Sequence, residues 1–461
     1  MTRLDCDALA APTEATFAAL QALHPASYQA FQRPDVVGEP PPALVVTLET
    51  FHAVMRSLPR ASGPGTTQWR FEHLQALYFH GCDREIYDIC MFIIAGRIPI
   101  GIRPWFAGAR LVALCKDGRT QPPEGGVRPI ACGEVLRRVC GRLVSTTMAQ
   151  TFSAYFAHPP APGCRSVTPV QLGVAVPGGQ DIMVHTVQAL MELHPDWACA
   201  SIDIENAFNS VSRSVIAGLV LERFPELWSY FDACYGADPH LCFGVRGEDG
   251  VERRRFIPSA EGTQQGDPVA PFLFCLAFHM VLHDVLAAHP GVRASPAFFD
   301  DGWLIGPPEA VAGALTALIT EIPARIGASI RMSKCEVYSP TGDVSMFPEQ
   351  VRGVATRMEG VTILGIPMGS DQYVRRRLCE IATEAAAILP RLSTQTHRRA
   401  ASSHYSALTL GCYTSCEGSP LHWRGGVRYV TMACRTTTTS WHAMRAPLLE
   451  WLGGRHLALE P

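Results

Sequence analysis

A chain of 461 residues, 47% of them hydrophobic, is long enough for two or three domains or one multi-lobed enzyme, and too apolar to be disordered. Its formal net charge of −3 excludes a protein that is basic all over, so a nucleic-acid partner would need a local basic surface. Sixteen cysteines without paired spacing read as free thiols in a reducing compartment, not as a disulfide scaffold.

The opening stretch, Met1 to Leu20, carries Asp5, Asp7 and Glu14 and no apolar run, which excludes a secretory signal. Pro-rich Phe31 to Pro42 and the segment Ala61 to Thr67 read as loops, and Gln68 to Phe79 has the apolar spacing of a helix. Arg110 to Leu114 is a short strand ended by the turn Lys116-Asp117-Gly118, and Val127 to Ala131 is its partner. Glu134 to Gln150 reads as a helix with Arg138 and Arg142 on one side, and Asp181 as the cap of a helix running to Leu193. Ala198 to Ile204 is an apolar strand that delivers Asp203. Leu241 to Ile257 is a hairpin around Gly247 to Gly250, and Phe298 to Ile305 is two strands joined through Asp300-Asp301-Gly302.

Between these lies the longest apolar stretch, Val269 to Ala288, interrupted by His279, His283 and Asp284; a buried core helix is expected and a membrane span is not. Without a signal or a span, the expected location is intracellular, nuclear or cytoplasmic. Ala310 to Ile322 follows as an amphipathic helix, Ser329 to Tyr338 as a strand-like segment holding Lys334, and Val361 to Ile366 as a last strand. From Ser370 to Leu392 the pattern is helical, with Arg375, Arg376 and Arg377 together, and beyond Ser403 periodicity fades. Strands and helices in this irregular order predict an α+β fold.

The chemistry starts with three carboxylates at strand ends. Two magnesium ions about 3.5–4 Å apart are what nucleotidyl transfer requires, and magnesium takes a few carboxylates together with substrate phosphates and water. Asp203-Ile204-Glu205-Asn206-Ala207-Phe208 resembles the first palm motif of reverse transcriptases, and Phe298-Phe299-Asp300-Asp301 resembles their aromatic-x-Asp-Asp hairpin. Gln264-Gln265-Gly266-Asp267-Pro268 is similar to the family's Gln-Gly-x-Pro segment. Lys334 falls where the family carries a lysine, and Ile363 to Pro367 resembles the Leu-Gly primer-grip strand. Five motifs in family order, from about Ala61 to Gly369, identify a reverse transcriptase-type chain closest to those of non-LTR retrotransposons.

The resemblance implies a right-hand polymerase with fingers at 61–195 after an N-terminal extension (1–60), a palm at 196–369, and a partial or degenerate thumb from 370. It implies that Asp203, Asp300, Asp301 and the Ile204 carbonyl hold two Mg2+ ions, with Mn2+ as an alternative. Lys116 and Arg128 would grip the triphosphate of the incoming dNTP, and Gln265 and Gly266 would approach nucleotide and template. Phe208 would exclude the ribose 2′-hydroxyl, and Lys334 would protonate departing pyrophosphate. Lys116 and Lys334 are the only lysines among 39 basic residues, and Lys, unlike Arg, can release its proton.

Several features point to structure instead. Asp267 and Pro268 suit a helix N-cap and first turn. Gly173 to Gly179 lacks the Lys-Ser/Thr ending of a phosphate loop and corresponds to the family's template-contacting finger segment. Cys412, Cys416, His422 and Cys434 have spacing wrong for a zinc site. Phe299 is bulky for the position before the paired aspartates, and the C-terminal part lacks a thumb's apolar helical pattern. The expected partners are an RNA or DNA template with primer, dNTPs and other domains of a retroelement polyprotein. The alternative is a catalytically inactive remnant that only binds nucleic acid. A viral RNA-dependent RNA polymerase is disfavoured, since Gly-Asp-Asp is usual there.

Overall fold

Helices dominate the first half of the chain, and strands with two long apolar helices the second, in the architecture seen in the computed structural model. It describes residues 9–26, 31–36, 38–118, 120–157, 170–341, 344–351, 356–357 and 359–393. The Cys412, Cys416, His422 and Cys434 group, the Thr436–Thr439 run and the C-terminal part of the expected thumb lie outside the described residues.

The chain divides into two compact units, residues 1–366 and 367–461. The first opens with helices α1 (Glu14–Ala22), α2 (Leu48–Ser57), α3 (Phe71–Phe79), α4 (Asp83–Ile94) and α5 (Arg103–Phe106). Strands β1 (Ala109–Cys115) and β2 (Val127–Gly133) follow, then α6 (Val135–Thr147), α7 (Ala149–Phe156), β3 (Val170–Gln171) and α8 (Gly179–Leu193). The middle holds β4 (Ala198–Ile202), β5 (Ile204–Glu205), α9 (Ala207–Ser210), α10 (Arg213–Arg223), α11 (Trp228–Tyr235), β6 (His240–Arg246) and β7 (Glu252–Pro258). After them come α12 (Ala270–Ala288), β8 (Pro296–Phe298), β9 (Asp301–Gly306), α13 (Pro308–Ile326), β10 (Ser329–Ile330), β11 (Val337–Tyr338), β12 (Thr356–Arg357) and β13 (Gly360–Ile363). Strand β14 (Ile366–Gly369) leads into α14 (Asp371–Ser393).

Two sheets matter. The first, in the order β2-β1-β6-β7, pairs β1 antiparallel with β2 and parallel with β6. Helix α1 lays Phe17 and Leu20 on the face formed by Leu111, Ala113, Leu241 and Phe243. Burying two such side chains contributes about 1.5–3 kcal/mol each. The backbone joins the same face, with Ala10 N–H donating to Ala113 O (2.9 Å) and Arg246 N–H to Pro12 O (2.7 Å). Residues before position 60 are thus built into the first unit.

The second sheet runs β12-β11-β4-β9-β8-β3 and is mostly antiparallel. Helix α13 packs on its β4 and β9, and α12 packs on α13; the Phe272 to Phe278 run of α12 is buried on every side, as a helix apolar all round must be. Among the described residues α12 is the one helix long and apolar enough to cross a membrane, and most of it is buried inside the unit. Cysteines follow the same logic: the eleven described are free, and eight of them are buried.

Four local expectations are corrected. Helix α8 begins at Gly179 after a left-handed Gly178, so Asp181 sits in its first turn and is not its cap. Helix α12 starts at Ala270 with Val269 at the cap, beyond Asp267 and Pro268. The segment 329–338 is not one strand; Lys334 lies in a 3₁₀ turn (Met332–Lys334) between β10 and β11. Likewise β13 ends at Ile363, and Leu364 and Gly365 form a turn with φ of 48° and 86°. In α14, Ser370 Oγ accepts from Tyr373 N–H (3.3 Å), Arg376 lies over the Tyr373 ring, and Arg377 pairs with Glu380.

Candidate active site

Small buried residues let β4 run through the middle of its sheet, and the first residue past its end is Asp203. Antiparallel pairing with β9 sets Ile202 opposite Gly302, which brings Asp203 beside Asp301. The β8–β9 pair has Phe298 opposite Asp301, leaving Phe299 and Asp300 as a tight turn. Phe299 holds φ = 56°, a left-handed conformation costly for a bulky residue. Gln171, buried in β3, fixes it: its Oε1 accepts from Phe299 N–H (2.7 Å) and Gly173 N–H (2.9 Å), and its Nε2 donates to Phe299 O (3.0 Å). Gly173 is required there, since a Cβ would stand 2.8 Å from Phe299 N. Beneath the hairpin, Gly302 lets the Phe278 ring of α12 approach to 3.2 Å of where a Cβ would be.

The three carboxylates crowd one another. Burial raises the proton affinity of Asp203, and Glu205 adds to this, while Lys334, Arg331 and Lys116 oppose it. Burial also raises Asp300, with a further push from Asp203 and an opposing pull from Arg128. Asp301 is pushed up to about 6 by burial and then by the charges of Asp300 and Asp203. Burial is the main cause at all three, and negative neighbours add to it at Asp300 and Asp301; a divalent ion would relieve that cost. Among the described residues no group of three His, Cys, Asp or Glu side chains is placed to hold a metal ion by itself. An incomplete, all-oxygen donor set fits magnesium, which keeps water and substrate phosphate in its shell.

An open cavity of about 420 Å³ fronts Asp203 and Asp301, lined also by Trp303, Lys334, Thr362 and Leu364 among others. Lys334 is exposed at its rim. Lys116, just past β1, has its proton affinity lowered by burial and by repulsion from Arg331, Lys334 and Arg128. Four cations and three aspartates from distant parts of the chain thus feel one another. Arg128 is exposed on β2. Ile204 is buried in β5 opposite Ile330 of β10. Phe208, half-buried in α9, packs on Phe274 of α12 at 5.3 Å between ring centroids.

The Gln265-Gly266 segment lies against β2. Ala131 N–H donates to Gln265 O (2.7 Å), and Gly266 has φ = 127° with its missing Cβ only 2.4 Å from Ala131 O. No other residue type fits that backbone.

Three contributors were absent from the sequence reading. Arg331 donates its backbone N–H to Asp203 O (2.8 Å) and its guanidinium to Glu205 (2.6 Å), tying β5 to the turn after β10. Gln171 was hidden in a loop-rich segment. Arg137, beside the expected Arg138 and Arg142, is fully buried and paired with Asp267. Its signal was helical spacing, which sets it on the face of Cys140, Gly141 and Val144.

Residues 116–368 match the model of the family described as reverse transcriptase (RNA-dependent DNA polymerase). Over 203 residues the chain is 26% identical to the retrovirus-related Pol polyprotein from type-1 retrotransposable element R2 of Popillia japonica, covering 44% of this chain. The match spans only 26% of that polyprotein's length. Among solved structures, apo telomerase from Candida tropicalis is similar at 11% identity and a TM-score of 0.39, covering 75% of this chain and 69% of the other. Telomerase from Candida albicans, in complex with a fragment of telomeric RNA, is similar at 10% identity and a TM-score of 0.39, covering 60% and 47%.

Proposed function

Because the chain belongs to the reverse transcriptase (RNA-dependent DNA polymerase) family, we propose that it extends a primer on an RNA template with deoxynucleoside triphosphates, in a non-LTR-like retroelement. The observation that carries this is the β4–β9 register, Ile202 against Gly302, which joins Asp203 to the Asp300–Asp301 turn at one cavity. Residues 61–195 act as fingers and 196–369 as palm, with a thumb beginning at 370.

Asp203, Asp300, Asp301 and the Ile204 carbonyl are the groups that would hold two magnesium ions, or manganese in their place. When bound, these ions activate the primer 3′-hydroxyl and neutralise the charge developing on pyrophosphate. The rest falls to the chain's own side chains. Lys116, just past β1, and Arg128, on its partner strand β2, hold the triphosphate through charge-assisted hydrogen bonds. Gln265 and Gly266 offer a side-chain-poor backbone surface to the base pair. Phe208 fills the space beside the sugar C2′ and disfavours ribose by collision. Lys334, at the cavity rim, donates a proton to the departing pyrophosphate oxygen, for which an ammonium is suited and a guanidinium is not.

The test is extension of oligo(dT) on poly(A) with dTTP and magnesium, comparing the wild type with Asp300→Asn. Incorporation that vanishes in the variant supports the proposal. Equal background in both, with template binding intact, would replace it with a nucleic-acid-binding remnant.

A further inference from the structure

Two buried arginines hold the chain from Ser259 to Asp267. Arg213, 1% exposed, donates to Ser259 Oγ (3.2 Å), Glu261 O (3.0 Å) and Gly262 O (3.1 Å). Arg137, also 1% exposed, donates to Gln264 Oε1 (2.5 Å), pairs with Asp267 Oδ2 (2.7 Å) and reaches the Ala107 carbonyl just before β1. Gln264 Nε2 donates to that same carbonyl (2.9 Å). Both guanidinium groups lie over the Tyr235 ring, 5.3 and 5.5 Å from its centroid. The Tyr235 hydroxyl donates to Asp267 Oδ2 (2.9 Å) and accepts from Gln264 N–H (3.4 Å).

The residues on either side of Gln265-Gly266 are therefore both anchored in the interior, while Gly266 itself is exposed. A buried ion pair adds little stability over apolar packing of equal volume; what it adds is one defined geometry. Here that geometry fixes the height and tilt of a two-residue backbone step against β2, the strand that also carries Arg128.

We propose that Arg137 is a positioning residue for nucleotide addition. With Tyr235 as its backing, it sets the Gln265-Gly266 backbone so that the incoming base pair meets a preformed surface. This rests on the reading that Gln265 and Gly266 face the substrate.

The test uses Arg137→Lys and Tyr235→Phe in the full chain. Lysine keeps the charge but cannot reach three acceptors with a planar fork. Phenylalanine removes only the hydroxyl shared by Asp267 and Gln264, so it carries the test alone if the lysine variant does not fold. In primer extension, KM for dTTP is expected to rise about tenfold in Arg137→Lys and about threefold in Tyr235→Phe, with kcat changing by less than about twofold. A purely structural role would lower the active fraction, so kcat would fall and KM would stay fixed in both variants; that result overturns the proposal. Wild-type extension that does not depend on Asp300 would instead remove the polymerase reading and this inference with it.

Discussion

Replacing Asp301 with Asn should stabilise the metal-free protein while abolishing its activity. Burial and the charges of Asp300 and Asp203 raise Asp301 from an ordinary 3.8 to about 6. A shift of that size corresponds to about 3 kcal/mol at most. Asp301 keeps solvent-exposed surface, so water screening reduces this to about 1 kcal/mol. The folded-state value lies above the unfolded one, so the aspartate's favourable contribution is complete below about pH 4 and lost as pH rises through about 6. Asparagine has no such loss. For a unit of this size, the variant should therefore melt about 1–2 °C above wild type in EDTA at about pH 7.5, with the difference vanishing near pH 4. Differential scanning fluorimetry across pH reads this directly. Magnesium should raise the wild-type midpoint and shift the variant much less. A variant that melts lower than wild type in EDTA at neutral pH, or by a margin independent of pH, would refute the crowded-carboxylate argument.

Phe208→Ala should raise UTP use relative to dTTP about tenfold or more. It should also cost about 2 kcal/mol through its lost packing on Phe274; an unchanged nucleotide ratio would take the gate away from Phe208. Gly266→Ala forces a Cβ to 2.4 Å from Ala131 O at φ = 127°, so its denaturant midpoint should drop by the equivalent of about 2 kcal/mol or more. Wild-type stability there would mean that the backbone is free to shift. Lys334→Ala should lower kcat about 100-fold without rescue in Lys334→Arg, because arginine does not release its proton. Full activity with arginine would leave Lys334 a purely electrostatic part.

The placing of the three carboxylates was legible because their signals are local. Asp203 follows a short apolar run, and Asp300-Asp301-Gly302 read as the hairpin turn, although the turn is Phe299-Asp300 and Asp301 already belongs to β9. The β6–β7 hairpin was legible for the same reason, through Gly247 to Gly250. What was missed depends on contacts distant in sequence. Gln171 meets Phe299 across 128 residues, and Arg137 meets Asp267 across 130. Nothing near Gln171 marks it as a clamp. Arg137 is masked by Arg138, which lies over Phe71 and looks no different in a string of letters. Asp267 read as a cap because Asp before Pro usually is one. Here the interior arginine claims Oδ2, and only Oδ1 is left to accept from Val269 N–H (2.9 Å). Lys334 read as a strand residue because alternation around it continues on both sides, but more residues lie between β10 and β11 than between their partners β5 and β4, and the excess is taken up in the 3₁₀ turn.

The scarcity of lysine has a practical side. Apart from any terminal amine, the ε-amino groups of this chain number two, and both belong to the neighbourhood of Asp203. Acylating or reductively methylating reagents are thus directed to a single locale without engineering. The lowered proton affinity of Lys116 leaves it a larger neutral, reactive fraction than an ordinary lysine has. Isotope-labelled dimethyl-lysine would give two resonances, both near Asp203, as a ready pair of reporters for occupancy.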